Sequence, residues 1–180
     1  MISQEAKKKE NTYKFKTCNL KTFKKNISEF KEDKFANTFI SKANLQNQWK
    51  YCVGLYDEDE LMGAIITTFS INEPKIANLQ LLHTFYKHRK KGVGKKLCQF
   101  SLNQAIKNKC WYYRVSSEQL YVKFYEKIGF KMLGEQKSKC QLSMFRISCN
   151  TFSDCIYDIN DPIIKKALYR KGKGGCVTIF

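Results

Sequence analysis

The sequence predicts an α/β domain of the α+β kind, a sheet flanked by helices with a short C-terminal extension. Three observations predict it. Alternating apolar segments at Thr12–Cys18, Trp49–Tyr56, Leu61–Ile71 and Ile76–Thr84 have the period of strands. After Gly92, the residues Val93, Leu97, Cys98, Leu102, Ala105 and Ile106 recur at three- and four-residue spacing, the period of an amphipathic helix. A second helical stripe of Leu120, Tyr121, Phe124, Tyr125 and Ile128 stops at Gly129, placed as a C′ glycine, and leads into another apolar run.

In chain order, residues 1–11 open as a polar, basic tail, and Tyr13, Phe15 and Cys18 mark a first strand within a domain of residues 12–149. Lys21 to Asn44 carries Phe23, Ile27, Phe30, Phe35, Phe39 and Ile40 at helical spacing, divided near Asp33. The segments Trp49–Tyr56 and Leu61–Ile71 flank Asp57-Glu58-Asp59-Glu60 as a hairpin with an acidic loop, without the Asn-Gly pair of the tightest turns. Ile76–Thr84 is the central strand. Cys110–Ser116 is another, rich in aromatics, and its buried face stays open because Tyr112 and Val115 have opposite parity. Phe130–Gln136 and Cys140–Cys149 close the sheet across the polar Lys137-Ser138-Lys139. In the extension, residues 150–180, Pro162–Tyr169 reads as a short helix with Asp161 as N-cap, followed by a basic glycine-rich stretch and an apolar end.

A chain of 180 residues with 43% hydrophobic content is expected to fold as one domain with a full core. No signal-peptide pattern opens it, and its most apolar stretch is too short to span a bilayer, so a soluble protein with no membrane partner is expected. The eight cysteines are scattered without a C-x-x-C pair, and only His83 and His88 accompany them. That pattern suits reduced, buried thiols in the cytoplasm, or in the nucleus, and argues against a disulfide framework or a metal site. The net charge is +17. From Pro74 to Ser117 no acidic residue occurs, while Lys75, Lys87, Arg89, Lys90, Lys91, Lys95, Lys96, Lys107, Lys109 and Arg114 are basic. Two readings of this excess stand: attraction to nucleic acid or an acidic protein surface, or plain solvated lysines.

The chemistry concentrates in Leu81–Gly94, LLHTFYKHRKKGVG. A strand here ends in a basic, glycine-punctuated turn that opens a helix. Such a helix start leaves several backbone N–H groups unpaired and aimed one way, with the positive end of the helix dipole behind them. That is a site for a phosphate or pyrophosphate, and Gly92 and Gly94 allow it close to the main chain. The spacing Arg89-Lys90-Lys91-Gly92-Val93-Gly94 resembles the R/Q-x-x-G-x-G/A signature of the GNAT N-acetyltransferase superfamily. Leu120 to Phe130, LYVKFYEKIGF, resembles the superfamily's second signature, a helix ending F/L-Y-x-x-x-G-F. The two occur in the family's order and separation, and the resemblance covers about Tyr13 to Cys149.

The resemblance implies a mixed, mostly antiparallel sheet and an N-acetyltransferase. It would move an acetyl group from acetyl-CoA directly to a primary amine of a protein, peptide, aminoacyl-tRNA or small molecule. The donor's pyrophosphate would lie on Arg89, Lys90, Lys91, Gly92, Val93, Gly94 and Lys95. Its acetyl carbonyl and pantetheine arm would meet the main chain of Leu82, His83 and Thr84. In the resembling enzymes this strand splays from its neighbour after a bulge, opening a slot for the cofactor. Tyr125 takes the place of the family's general acid, against the plainer reading of a core tyrosine. Counting back nine and eleven residues from Arg89, where family members often carry a base, gives Gln80 and Asn78, which cannot accept a proton near neutral pH but can orient a water. By parity His83 falls on the other face from these two, as a packed or surface residue, and His88 reads as a solvated turn residue. Glu73 and Glu118 are the carboxylates placed to relay a proton through water, and Tyr121 replaces a usually small residue beside the pantetheine channel. A different class of function also fits, a catalytically weak or inactive module of the same fold that binds nucleic acid or a larger assembly through its basic surface.

Overall fold

The computed structural model describes residues 13–29, 47–71, 75–117, 119–132, 142–147 and 162. Its described strands form one sheet in the order β1-β2-β3-β4-β5-β7-β6. They are β1 (Tyr13–Thr17), β2 (Cys52–Asp57), β3 (Glu60–Phe69), β4 (Ile76–Thr84), β5 (Tyr112–Ser117), β6 (Lys131–Met132) and β7 (Leu142–Ile147). Only the β4–β5 pair is parallel. The mixed, mostly antiparallel sheet implied by the resemblance is therefore present, with β7 inserted between β5 and β6.

Three helices are described. The first, α1 (Leu20–Glu29), starts where Asn19 Oδ1 accepts the Thr22 N–H at 2.8 Å, an N-cap bond. It buries Phe23 and Ile27 on one face of the sheet against Trp49, Cys52, Ile66, Leu81 and Phe85. The longest, α2 (Val93–Lys107), lies on the other face, where Leu97, Cys98, Leu102 and Ala105 meet Ile65, Leu79, Leu82 and Val115. Burying each such leucine or isoleucine contributes about 1.5–3 kcal/mol. The third, α3 (Val122–Lys127), ends as expected at Gly129, whose φ is +90°. Phe130 N–H reaches Tyr125 C=O at 3.0 Å and Gly129 N–H reaches Glu126 C=O at 2.9 Å, the paired bonds of a Schellman ending.

Several boundaries differ from expectation. Trp49–Tyr51 is a single 3₁₀ turn, and the strand begins at Cys52. The β2–β3 hairpin pairs up to Asp57 and Glu60, so its turn holds only Glu58 and Asp59, with Glu58 itself at φ +53°. The face of β5 is settled by burial on both sides: Tyr113 and Val115 join the α2 cluster, yet Tyr112 is also fully buried. A strand covered on both faces loses the alternation that would reveal its register. The second half of the region from Lys21 to Asn44, most of the expected Phe130–Gln136 strand, residues 1–11 and the extension apart from Pro162 lie outside the described residues. Cys18, Cys52, Cys98 and Cys110 are buried, and no bridge joins them.

Candidate active site

The site begins with one extra residue. Across the β3–β4 ladder Ile66 pairs with Leu81 and Thr67 with Leu79, leaving Gln80 as a bulge. On its other side β4 pairs with β5 only from Ile76–Tyr112 to Leu79–Val115, although β4 runs on to Thr84 and β5 to Ser117. Past the bulge the two parallel strands part and leave a slot. Phe85 N–H bonds Met62 C=O at 3.1 Å. Strand alternation then turns the main chain of His83 toward β3, and that of Leu82 and Thr84 away from it into the slot. Of the three strand-end residues expected to meet a ligand through their backbone, Leu82 and Thr84 are so placed.

The turn after β4 is held by its own bonds. His88 N–H bonds Phe85 C=O at 2.8 Å, and Arg89 Nε reaches Thr84 C=O at 3.2 Å with the guanidinium over the Tyr86 ring. The Arg89 side chain thus ties the turn back to the strand end. Lys90 and Gly92 both have positive φ, +60° and +79°. Gly92 is the N-cap of α2 and offers no side-chain acceptor. The first intrahelical bond is Lys96 N–H to Gly92 C=O at 3.0 Å, so the N–H groups of Val93, Gly94 and Lys95 have no acceptor among the described residues. Lys90, Lys91 and Lys95 are exposed around them.

The turn and the slot meet at Gly94. A Cβ built there would lie 3.4 Å from Phe124 Cζ and 3.5 Å from Thr84 Oγ1, filling a gap between helix, strand and ring. Thr84 is 4% exposed, and its Oγ1 is buried without a partner among the described residues. A buried hydroxyl left unpaired is destabilising by about 1–3 kcal/mol, a cost that a hydrogen-bonding group bound beside it would offset. Unpaired amides at a helix start suit phosphate oxygens, and the free edge of β4 suits an extended amide-bearing arm that bonds as a strand would. Phe124 belongs to the helical stripe and opens the F/L-Y-x-x-x-G-F signature; its place over Gly94 depends on how α3 packs, which local pattern does not encode.

Tyr125 is fully buried in the α2-side cluster that also holds Leu82, Val93 and Val115. Its ring meets Phe124 and Phe130 edge-on, with centroids 5.2 Å and 5.4 Å away. On the opposite face of β4, Asn78 Nδ2 donates to Ile76 C=O at 3.3 Å, which fixes the amide so that its buried Oδ1, without a described partner, points the other way. Gln80 Nε2 donates to Thr68 Oγ1 at 3.0 Å.

Both histidines need correction. The parity count separated His83 from Asn78 and Gln80, but the bulge adds one residue and returns His83 to their face. There it is fully buried, edge-on to Phe23 and Phe85, so it is packed as expected but for a different geometric reason. His88 is not solvated: it is 6% exposed, with Nε2 3.2 Å from Glu60 Oε1, and Lys87 pairs with the same carboxylate. That contact joins the hairpin to the turn across a long sequence gap. Glu73 and Glu118 lie outside the described residues. No group of His, Cys, Asp and Glu that would hold a metal ion occurs among the described residues.

The family model for the acetyltransferase (GNAT) domain matches residues 9–150. No curated protein sequence matches the chain. Among solved structures, PaiA N-acetyltransferase of Thermoplasma acidophilum, in complex with coenzyme A, is similar over 76% of this chain and 99% of its own, with 18% identity and a TM-score of 0.56. Aminoglycoside 6′-acetyltransferase type Ii covers 75% of this chain and 97% of its own, with 17% identity and a TM-score of 0.60. Arabidopsis thaliana Naa50, in complex with the bisubstrate analogue CoA-Ac-MVNAL, covers 74% and 97%, with 16% identity and a TM-score of 0.52. At these identities the likeness is one of fold.

Proposed function

The chain belongs to the GNAT acetyltransferase family, and from that premise we propose that it is an N-acetyltransferase. It takes the acetyl group from acetyl-CoA and passes it directly to a primary amine, with no covalent enzyme intermediate. The observation that carries this reading is the junction of the β4–β5 slot with the uncapped start of α2. The coenzyme supplies an activated thioester. The amides of Val93, Gly94 and Lys95 hold its pyrophosphate, with Lys90, Lys91 and Lys95 adding charge. Leu82 and Thr84 bind the pantetheine arm through their main chain, and Thr84 Oγ1 gains the partner it lacks among the described residues.

In the transfer, the amine nitrogen forms a bond to the carbonyl carbon as the C–S bond breaks. The departing thiolate takes a proton, and Tyr125 is the donor we assign. A phenol in an apolar setting stays neutral and keeps its proton until an anion forms beside it. The amine must arrive neutral, and we assign Asn78 Oδ1, buried without a partner among the described residues, to orient it or a water that carries its proton away. The acceptor is a protein or peptide amine, an aminoacyl-tRNA or a small amine; among solved structures of like fold one enzyme is named for an aminoglycoside and another is bound to the bisubstrate analogue CoA-Ac-MVNAL.

Thiol release from acetyl-CoA in the presence of peptide and small-molecule amines tests the reading. Tyr125→Phe keeps the buried ring, so folding should persist while kcat falls by about 10²-fold or more. Undiminished turnover in that variant would remove Tyr125 from the mechanism. Failure of the unmodified protein to bind coenzyme A would remove the whole assignment.

A further inference from the structure

The 3₁₀ turn Tyr86–His88, which leads from β4 into the basic turn before α2, is pinned to the start of β3 by a carboxylate. Past the last ladder pair, Gly63–Thr84, Phe85 N–H still bonds Met62 C=O at 3.1 Å. The chain leaving β4 therefore runs on beside the beginning of β3, where Glu60 stands. Glu60 Oε1 lies 3.2 Å from His88 Nε2, and Lys87 pairs with the same oxygen. A carboxylate only accepts, so Nε2 carries a proton whether the ring is neutral or charged, and the titrating proton sits on Nδ1.

What this contact holds is an unfavourable backbone. Lys90, two residues past His88, has φ +60°, a left-handed conformation that a residue with a Cβ keeps only where its surroundings enforce it. On the far side the segment is fixed by α2, through Lys96 N–H to Gly92 C=O. On the near side it is fixed by Arg89 Nε on Thr84 C=O and by His88 on Glu60. A charged imidazole strengthens the near anchor, because its bond to the carboxylate is then doubly charge-assisted. It also adds a positive charge close to the amides that await an anion. The charged groups around His88 are Glu60 and Asp59 from the hairpin, Lys87 and Arg89 from its own turn, and Lys21 and Lys25 of α1. Both α1 lysines line a cavity of about 620 Å³ with Asp59, Glu60 and Lys87.

We propose, resting on the coenzyme reading above, that Glu60 is a positioning residue for the donor site. Acting through His88, it holds residues 89–92 in the conformation that receives the pyrophosphate, and it holds them tighter when His88 is protonated. Donor affinity is then linked to the His88 proton. A charged ring favours binding, and reciprocally a bound pyrophosphate makes the ring keep its proton to higher pH. Affinity falls as rising pH removes that proton.

Dephospho-coenzyme A is the probe, because it lacks the 3′-phosphate, a group that itself titrates near about pH 6. Calorimetry on the full chain should show it binding about fivefold tighter at about pH 5.5 than at about pH 8, the margin of a charge-assisted over a neutral hydrogen bond. Glu60→Gln keeps the length of an exposed side chain and an acceptor for Nε2, so the fold should persist. It should flatten that ratio to less than about twofold, with affinity no higher than the parent's at the upper pH. A residue that only stabilised the hairpin would lower affinity equally at both pH values and keep the ratio. On the unmodified chain, the His88 ring resonances should titrate at higher pH once the probe saturates the protein. Equal affinity at the two pH values, a ratio unchanged in Glu60→Gln, or a His88 titration unmoved by the probe would each overturn the role of Glu60 and leave the donor site standing. Absence of binding at both pH values would overturn the coenzyme reading, and the role of Glu60 with it.

Discussion

Thr84 and Gly94 face each other across the mouth of the slot, and substitution of Thr84 pulls stability and binding in opposite directions. Thr84→Val keeps the side-chain shape and removes the buried hydroxyl that lacks a partner among the described residues. It should raise stability by about 1 kcal/mol in denaturant titration and weaken coenzyme A binding, because a donor in the slot would lose that hydroxyl as a hydrogen-bond partner. Gly94→Ala places a Cβ at ordinary contact distance from Phe124 and Thr84, so the fold should tolerate it. The signature that Arg89–Gly94 resembles admits alanine at this position, so coenzyme A affinity should change little; Gly94→Leu, whose side chain fills the gap between Phe124 and Thr84, should weaken it by about tenfold or more in calorimetry. A leucine variant that binds as well as the parent would place the donor elsewhere. At Tyr125 burial bears out the core-ring reading, and the general-acid role is the one that the Tyr125→Phe variant tests.

At the scale of elements, the turn into α2 depends on one backbone conformation. Gly92 has φ +79° and open space where a side chain would stand. Gly92→Ala should therefore destabilise by about 1–2 kcal/mol through backbone strain alone, read as a lower unfolding temperature without a new clash. This turn, the hairpin and the glycine ending of α3 were legible in the sequence because local residue types fix each of them. The Gln80 bulge was not, since no residue near it requires one, and a single inserted residue reversed the apparent face of His83. The burial of His88 was equally hidden, because Glu60 approaches from a hairpin distant in the chain. The face of β5 escaped for a third reason: apolar residues cover both its sides, and periodicity then carries no information.

For the whole molecule, burial sets an alkaline limit. The Cys98 thiol and the Tyr113 phenol are both pushed well above their ordinary ranges, chiefly by loss of solvent. Below the ordinary values both groups are protonated in either state and add no pH dependence. Above about pH 9 to 10 the unfolded chain releases these protons and the folded chain retains them, so the folded state binds more protons. Stability should then decline with rising pH by about 1.4 kcal/mol per pH unit for each group, as measured by denaturant midpoints across that range. A flat profile between pH 9 and 11 would show that these two side chains reach water in the folded form (about one unit past each ordinary value suffices).

The parting of β4 from β5 bears on more than the reaction. Along the backbone, β1–β4 and β5–β7–β6 are stitched together by the four positions from Ile76–Tyr112 to Leu79–Val115. An empty protein is thus a sheet with a tear reaching halfway up its middle, and a pantetheine arm lying in the tear would suture it. Coenzyme A should slow amide exchange at Leu82 and Thr84 and raise the melting temperature of both halves together.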